Sequence, residues 1–408
     1  MVRKRLASSL AFAGALVASL LVSVAAAHAE SRNLLVNPGF EAPLEGHPWM
    51  PSGWDTSATG LQSVYFGRDT LDPHSGSYSI SVANVSMLIP LAQNWNQTLL
   101  VGREVWDKDV VFSVWTKSAG VEGRSYILLQ AYRDTVSKMA RIWGIDRDDA
   151  GPRLGIQKVD DPLIDLGWKR EYFSDAETGW VRREIRVHVP PTTNVLFVRC
   201  GLYGTGQVQF DDATLVAEPP QPPAVLPVGK NLLLDPGFEG DGNAWEYSVP
   251  PYEGTRVERD TLIAHSGKAS IRFSSRAGLV KARTGVCQVI CNPNLSGKRL
   301  KLSAYVKTDS LRSEAYLKMY CHTMKGVVSL PGPEQASGTH DWGRIGMEMD
   351  VPAETYSVWV WFVYNAPAEG IVHFDDVSLE VLGPTSKSSQ SEPSVKPKPR
   401  KSPTPRKG

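Results

Sequence analysis

The sequence predicts an all-β protein with two antiparallel β-sandwich domains of the jelly-roll type in tandem. Two observations lead to this prediction. Six short motifs occur in the same order in both halves of the 408-residue chain. Between them, polar and apolar residues alternate with a period of two, which is typical of half-buried strands. Many short strands interrupted by Gly, Pro, Asn and Asp, with almost no helical periodicity, favour a sandwich.

The internal repeat begins with Asn33–Glu41, which reads NLLVNPGFE and returns as NLLLDPGFE in Asn231–Glu239. Five further matches follow in the same order: Arg68–Thr70 with Arg259–Thr261, His74–Gly76 with His265–Gly267, Val114–Lys117 with Ala304–Lys307, Trp180 with Trp342, and Phe210–Asp212 with Phe374–Asp376. Six ordered matches set the number of domains at two.

The strands themselves are predicted from the alternation. In the first module Val110, Phe112 and Val114 share one face of a strand, and residues 126–132 alternate in the same way. In the second module residues 358–362 alternate between aliphatic or Phe side chains and Trp. The polar, Gly- and Asp-rich stretch 133–168 predicts an elaborated loop in the first module, with a short helix near 137–143. Four tryptophans are assigned to packing: Trp54, Trp180, Trp245 and Trp342.

Composition supplies the domain boundaries. Residues 1–29 have a basic start, an apolar run and a small-residue end, which predicts a signal peptide cleaved after Ala29. An uncleaved membrane anchor is the alternative, and no later stretch is apolar enough to cross a membrane. The predicted parts are then a first sandwich at 33–216, a Pro-rich linker at 217–230, a second sandwich at 231–382 and a disordered basic tail at 383–408. A linker with five Pro predicts a stiff spacer that keeps the modules apart.

The charge distribution bears on partners. The net charge is +1, but the first residues and the tail are basic, so the body between them is mildly acidic. An acidic body argues against nucleic-acid binding. The basic tail is either a contact for a polyanionic cell-envelope polymer or a solubilising terminus. We expect a secreted, periplasmic or cell-surface monomer.

The opening NLL(V/L)(N/D)PGFE segment, the His-Ser-Gly turn and the closing Phe-Asp-Asp strand together resemble carbohydrate-binding modules. The resemblance is to galactose-binding-like jelly rolls of families 4, 9, 16 and 22, and it extends over both repeats. It implies a protein that binds polysaccharide without catalysing a reaction on it.

The same resemblance implies one structural Ca²⁺ per module. Its carboxylate ligands would be Glu41 with Asp211, and Glu239 with Asp375, completed by carbonyl oxygens near Gly39 and Ser75 or near Gly237 and Ser266. Calcium prefers such hard oxygen ligands. The alternative is that these acids cap turns or pair with Arg.

Sugars present apolar faces and a rim of hydroxyl groups, so a sugar site needs aromatic planes and planar polar groups. Strand alternation places such residues on the less apolar face of each sandwich. The predicted ligand-binding residues are Trp95, Trp115, Gln130, Tyr132 and Arg199 in the first module and Tyr305, Tyr316, Tyr320, Trp359 and Trp361 in the second. For each of them, packing in the core is the alternative.

Other functions are less well supported by the sequence. A glycosidase needs two carboxylates held across a cleft, and no acidic pair recurs in both modules. One alternative is a polysaccharide hydrolase or lyase whose site lies on the elaborated first module. Another is a surface or matrix protein that uses the sandwiches for adhesion. Of the cysteines, Cys321 is expected to form a disulfide with Cys287 or Cys291, if any bridge forms.

Overall fold

The computed structural model describes residues 32–57, 62–86, 92–134, 163–173, 179–248, 255–275, 284–323, 326–365 and 369–385. The predicted signal peptide, most of the elaborated loop and the tail from residue 386 lie outside these ranges. Within them no helix is long and apolar enough to cross a membrane.

The described residues of the first module form ten strands. They are β1 (Pro43–Leu44), β2 (His47–Pro51), β3 (Asp55–Thr56), β4 (Val64–Asp69), β5 (Ser79–Asn84), β6 (Ala92–Leu100), β7 (Lys108–Asp134), β8 (Leu163–Phe173), β9 (Val181–Val189) and β10 (Val195–Glu218). The second module contains β11 (Glu246–Ser248), β12 (Thr255–Asp260), β13 (Ser270–Ser275), β14 (Thr284–Cys291), a 3₁₀ turn (Pro293–Leu295), β15 (Lys298–Thr323), β16 (Gly326–Asp350), β17 (Thr355–Tyr364) and β18 (Gly370–Pro384).

Two long strands, β7 and β10, run through both layers of the first sandwich. They pair antiparallel along almost their whole length, with a register shift between Thr205 and Gln207. The first half of β10 also pairs with β6, and its second half pairs with β5. The second half of β7 continues to β8 and its first half to β9. The shift therefore marks the corner at which the strands pass from one sheet to the other.

The corner depends on glycine. Gly204 has a φ of +135°, and a Cβ there would come within 2.1 Å of the carbonyl oxygen of Glu122 on the paired strand. The backbones can approach this closely only without a side chain. Gly204 therefore permits the corner between the two sheets.

The second module repeats this architecture. Its first sheet contains β11, β14, β17 and the second half of β15, and its second sheet contains β12, β13, β18 and the first half of β15. β16 pairs with both halves of β15. Two all-β sandwiches in tandem are therefore confirmed as the fold class. Their last strands, β10 and β18, each end two residues beyond the predicted boundary.

Each sandwich buries its own core between its two sheets. The core of the first module includes Phe40, Trp54 and Phe210, and that of the second includes Phe238, Trp245 and Phe374. Phe40 and Phe238 come from the repeated opening segment, and Phe210 and Phe374 come from the repeated closing motif, so the repeat encodes the core as well as the turns. Trp54 and Trp245 are packing residues, as predicted.

The modules do not sit apart, which corrects the prediction made from the linker. Strand β8 of the first module packs against the first sheet of the second. The linker also lies on the second module, because Asn292 Nδ2 donates to the carbonyl oxygen of Ala224 at 2.9 Å and Leu226 packs against its core. A Pro-rich segment is stiff, but here it leads along the surface of the second module and allows contact.

Candidate functional site

The outward face of the first sheet of the second module carries a set of aromatic side chains. Along β17 the residues Val358, Val360 and Phe362 point into the core, so Trp359 and Trp361 point outward. On β15, Tyr320 is paired with Trp359 and Lys318 with Trp361. This outward face, built from Lys318, Tyr320, Trp359 and Trp361, is called the aromatic platform below.

The rings of the aromatic platform are ordered by the pleat of the sheet. Trp359 and Trp361 lie two residues apart on one strand, with ring centroids 6.3 Å apart and an angle of 9° between the planes. The Tyr320 ring meets Trp361 edge-on at 6.3 Å, and Lys318 Nζ lies 4.4 Å from the centre of the Tyr320 ring. All four side chains keep partial solvent exposure. The platform thus offers two near-parallel indole planes beside a hydrogen-bond donor and a cation.

The corresponding face of the first module is more deeply buried. Its strand pairing places Arg199 beside Leu128 and Phe197 beside Gln130. Leu128, Gln130 and Phe197 are all buried, and desolvation lowers the pKa of Arg199. Tyr132 is half-buried. The predicted residues Gln130, Tyr132 and Arg199 are therefore brought together on one face, as expected, but this face is largely closed to solvent.

Part of this closure comes from the second module. The ring centroids of Trp168 and Trp359 lie 5.4 Å apart, and Trp168 is only 9% exposed. Arg170 Nη1 donates to Glu246 Oε2 at 2.5 Å, and Tyr172 Oη donates to the same oxygen at 2.7 Å. Trp168, Arg170 and Tyr172 lie at alternate positions of β8, so they share one face of that strand.

Sequence reasoning missed this strand. It ended the predicted loop at Trp168, whereas β8 begins at Leu163. The signal was the alternation of Trp168, Arg170 and Tyr172 with the residues between them. The partner, Glu246, has no counterpart among the repeated motifs and could not be found by comparing the two halves.

The prediction that Trp95 stacks on a sugar is wrong. Trp95 is fully buried in the core of the first module, its Nε1 donates to the Ser81 carbonyl oxygen at 2.9 Å, and it packs edge-on against Phe66. Its strand neighbours Asn94 and Asn96 take the outward positions. Tyr316 is also buried, with 6% of its surface exposed, so it is not available to a ligand in the described fold.

Trp115 lies on the first half of β7 and Tyr305 on the first half of β15, both away from the platform. Each stacks on the histidine of the repeated His-Ser-Gly turn, with Trp115 at 3.9 Å from His74 and Tyr305 at 3.6 Å from His265. One face of each ring is therefore occupied by imidazole, and the ligand-binding role of both residues stays a prediction. Trp180 and Trp342 contact the same histidines edge-on. Both are half-buried, so the prediction that they are core residues is wrong.

The predicted metal-binding acids hold one turn in each module. In the first, Asp211 Oδ2 accepts from the backbone N–H groups of His74 and Ser75 at 2.9 and 3.1 Å. Glu41 Oε1 accepts from those of Ser77 and Tyr78 at 2.9 and 3.1 Å. The two carboxylates thus hydrogen-bond to the backbone in both halves of the turn between β4 and β5.

The second module repeats the arrangement. Asp375 Oδ2 accepts from the N–H groups of His265 and Ser266, and Glu239 Oε1 from those of Lys268 and Ala269. Burial raises the pKa of Asp211 to about 6, and burial also raises that of Asp375. Among the described residues, no group of three or more His, Cys, Asp or Glu side chains could hold a metal ion. Turn capping accounts for the acids in the described structure.

Two titratable groups at the contact between the modules are held neutral. Burial raises the pKa of Asp165 to about 8 and lowers that of His322 to about 4. Only a backbone hydrogen bond from Gly167 to Asp165 opposes the first shift. Both groups are therefore uncharged near neutral pH while β8 packs against the second module.

All four cysteines are free thiols. Cys321 points into the core of the second module, where its Sγ lies 3.8 Å from Met349 Sδ. Cys287 and Cys291 are paired with Trp361 and Ser357 at outward positions of β14. Because Cys321 lies on the opposite face of the sheet, the expected disulfide with either of them does not form.

Comparison with known proteins gives structural likeness without sequence relatives. No protein-family model and no curated protein matches the chain. Among solved structures, the chain is similar to a tandem of family 22 carbohydrate-binding modules from Paenibacillus barcinonensis Xyn10C. That similarity has 14% identity and a TM-score of 0.30, covering 88% of this chain and 99% of that one.

Two further solved structures illustrate the range. The C-terminal family 22 carbohydrate-binding module of Clostridium thermocellum Xyn10B is 15% identical, with 41% of this chain and all of that one covered and a TM-score of 0.31. The α-L-arabinofuranosidase MgGH51 is 13% identical over 45% of this chain and 26% of that one, with a TM-score of 0.30. The fold described above rests on the strand pairing of the chain itself.

Proposed function

We propose that the protein is an exported, non-catalytic carbohydrate-binding protein whose polysaccharide site is the aromatic platform of the second module. The observation that carries this proposal is the near-parallel pair Trp359 and Trp361 on an outward sheet face, with Tyr320 and Lys318 beside it. Indole planes take the apolar faces of sugar rings, while phenol and ammonium groups suit the hydroxyl rim. Aromatic rings that only packed the core of their own module would not lie on this side of the sheet.

The distribution of acids supports binding over catalysis. Hydrolysis of a glycosidic bond requires two carboxylates facing each other across the bond. Of the acids at described outward strand positions near the platform, Glu314 lies further along β15, two residues before the buried Tyr316. Glu246 has its Oε2 taken by Arg170 and Tyr172. A carboxylate held in this way is neither a free nucleophile nor a proton donor.

The experiment is a polysaccharide-binding assay with the mature chain. Retention on insoluble cellulose and xylan, and mobility shift in gels containing laminarin, would be compared for wild type and Trp361→Ala. The matched control is Trp49→Ala, which removes a tryptophan that is 45% exposed and lies on β2. The proposal expects Trp361→Ala to abolish binding that Trp49→Ala leaves intact. Failure of the wild type to bind any of a broad glycan panel overturns it, and release of reducing ends would identify an enzyme instead.

Calcium is the second part of the proposal. Glu41 with Asp211, and Glu239 with Asp375, would each contribute carboxylate oxygens, and carbonyl groups of the same turns would complete the shell. The fit is supported by the position of both acids on one turn and by the capacity of a carboxylate to accept about four contacts, of which the backbone N–H groups use two or three. The ion would brace the turn, because it would offset the charge of a partly desolvated acid pair.

A further inference from the structure

Strand β8 of the first module lies across one end of the aromatic platform. The Trp168 ring packs on Trp359, and the Cys291 thiol donates to the Trp168 carbonyl oxygen at 3.3 Å. Trp359 also lies 5.2 Å from His322, with 27° between the rings. Trp359 therefore contacts the rings of His322 and Trp168, and the second of these comes from the other module.

Trp168 occupies the place that a sugar would take on Trp359. A pyranose ring binds an indole by laying its apolar face on the ring plane, and it needs the same few ångströms of space that Trp168 fills. Trp361, by contrast, has neighbours from its own module, Trp359 and Tyr320. With β8 packed against it, the platform thus presents Trp361 and has Trp359 partly covered by the first module.

We infer that β8 competes with polysaccharide for Trp359, so that a glycan engages the whole platform only when the two modules separate. This inference rests on the function proposed above and adds its regulation: the first module is an internal occupant of the site. Binding and docking then exclude one another at Trp359, and the docked fraction sets the apparent affinity.

The chemistry of the contact suits a reversible occupant. Its apolar part is a small cluster of Tyr126, Leu128, Trp168 and Tyr172 with Val289 and Trp359 against it, separate from the two large cores. The rest is polar, centred on the ion pair of Arg170 and Glu246, whose side chains are 18% and 14% exposed. Interfaces of this mixed character between domains of one chain usually open and close.

Cys287 reports directly on docking. It is paired with Glu246 on the neighbouring strand, points outward and is only 1% exposed. Arg170 of the first module lies close enough to lower its pKa, while burial raises that pKa well above the usual value. Separation of the modules removes Arg170 and exposes this thiol, whereas Cys200 and Cys321 stay within their cores.

The first measurement is the rate at which a thiol reagent modifies Cys287 in the folded full chain, read by peptide mass spectrometry. Glu246→Lys sets a second cation against Arg170, and Trp168→Ala removes the occupying ring. Each is expected to raise the rate at least tenfold. The control Glu258→Lys breaks a comparable but more exposed ion pair with Arg272 in the same module and should leave the rate unchanged. Equal rates in wild type and both undocking variants overturn the inference.

The second measurement is affinity for the polysaccharide probes, cellulose, xylan and laminarin. If the docked form is about 90 to 99% populated, releasing it tightens the apparent affinity by about 10- to 100-fold. Both undocking variants should therefore bind more tightly than wild type and Glu258→Lys. Unchanged or weaker binding by variants that have exposed Cys287 would overturn the competition while leaving the proposed function intact. No binding by wild type and by both undocked variants would instead overturn the proposed function.

Discussion

His74 stacks on Trp115 with the ring centroids 3.9 Å apart and 17° between the planes, and its Nδ1 lies 2.6 Å from Asp212 Oδ2. The second module repeats both contacts with His265, Tyr305 and Asp376. Because Trp115 and Tyr305 differ while the histidine and acid do not, the aromatic ring serves as a flat support in both modules. In each module the repeated motifs therefore form one set of contacts that joins the His-Ser-Gly turn to the closing strand.

Removal of this histidine is expected to destabilise the first module. His74→Ala deletes the stack on Trp115 and the contact with Asp212, which together stabilise a partly exposed site by about 1–2 kcal/mol. The midpoint of thermal unfolding should fall by about 2–8 °C, measured by differential scanning calorimetry. His47→Ala, at an exposed position beside Trp49, is the control. Equal melting of the two variants would contradict the structural role of His74.

The repeat made the fold and this turn predictable, because the same short motifs had to satisfy the same backbone groups twice. Trp95 was not predictable from alternation. Its strand β6 has polar residues on both faces: Gln93 and Gln97 lie on the same face as Trp95, Asn94 and Asn96 lie on the opposite face, and all four are buried. When polar residues occupy both faces, alternation indicates a strand but does not show which of its faces is buried.

Gln97 shows why a glutamine points inward here. Its side chain accepts from the Val36 N–H at 2.8 Å and donates to the Val36 carbonyl oxygen at 3.0 Å, so it clamps the opening segment. Gln288 makes the same pair of contacts with Leu234.

The packing of β8 on the second module could not be predicted either, because it joins Trp168 and Arg170 to residues that have no counterpart in the repeat.

The position of Trp95 gives a prediction that separates core from ligand roles. Trp95→Ala should lower the free energy of unfolding by about 3–5 kcal/mol, because it leaves a large cavity and removes the hydrogen bond to the Ser81 carbonyl oxygen. Denaturant unfolding followed by circular dichroism measures this loss. The exposed Trp49→Ala is expected to change stability by less than about 0.5 kcal/mol. A Trp95→Phe variant that folds and still binds polysaccharide as wild type does would agree with the core role, whereas selective loss of binding would refute it.

Calcium removal tests the proposed metal at the two turns. Melting curves of the mature chain would be recorded with added Ca²⁺ and with a chelator. If the ion binds the folded state alone, a free concentration 100 times the dissociation constant stabilises the module by about 2.7 kcal/mol. The Asp211→Asn and Asp375→Asn variants should lose the calcium-dependent shift of their own module. Identical curves with calcium and chelator would show that the carboxylates act only as turn caps.

The pH dependence of stability should reveal Asp165. The residue is 5% exposed, and burial raises the pKa of its carboxyl group to about 8 in the folded protein, against a usual value of 3.8. Between these two values the folded state keeps a proton that the unfolded state releases, so rising pH favours unfolding. Relative to Asp165→Asn, the wild type should lose about 1.4 kcal/mol of stability per pH unit across this window.

Comparing the two proteins isolates this effect, because His322, Asp211 and every other titrating group contribute equally to both profiles. Denaturant unfolding at pH 5, 6 and 7 would give the difference directly. His322 has a depressed pKa of about 4, so it opposes Asp165 in the wild-type profile below about pH 6.5 and would hide the slope there. The difference profile should nevertheless decline steadily from pH 5 to 7. Parallel profiles would mean that Asp165 is solvated, and therefore that β8 does not hold it in a desolvated position.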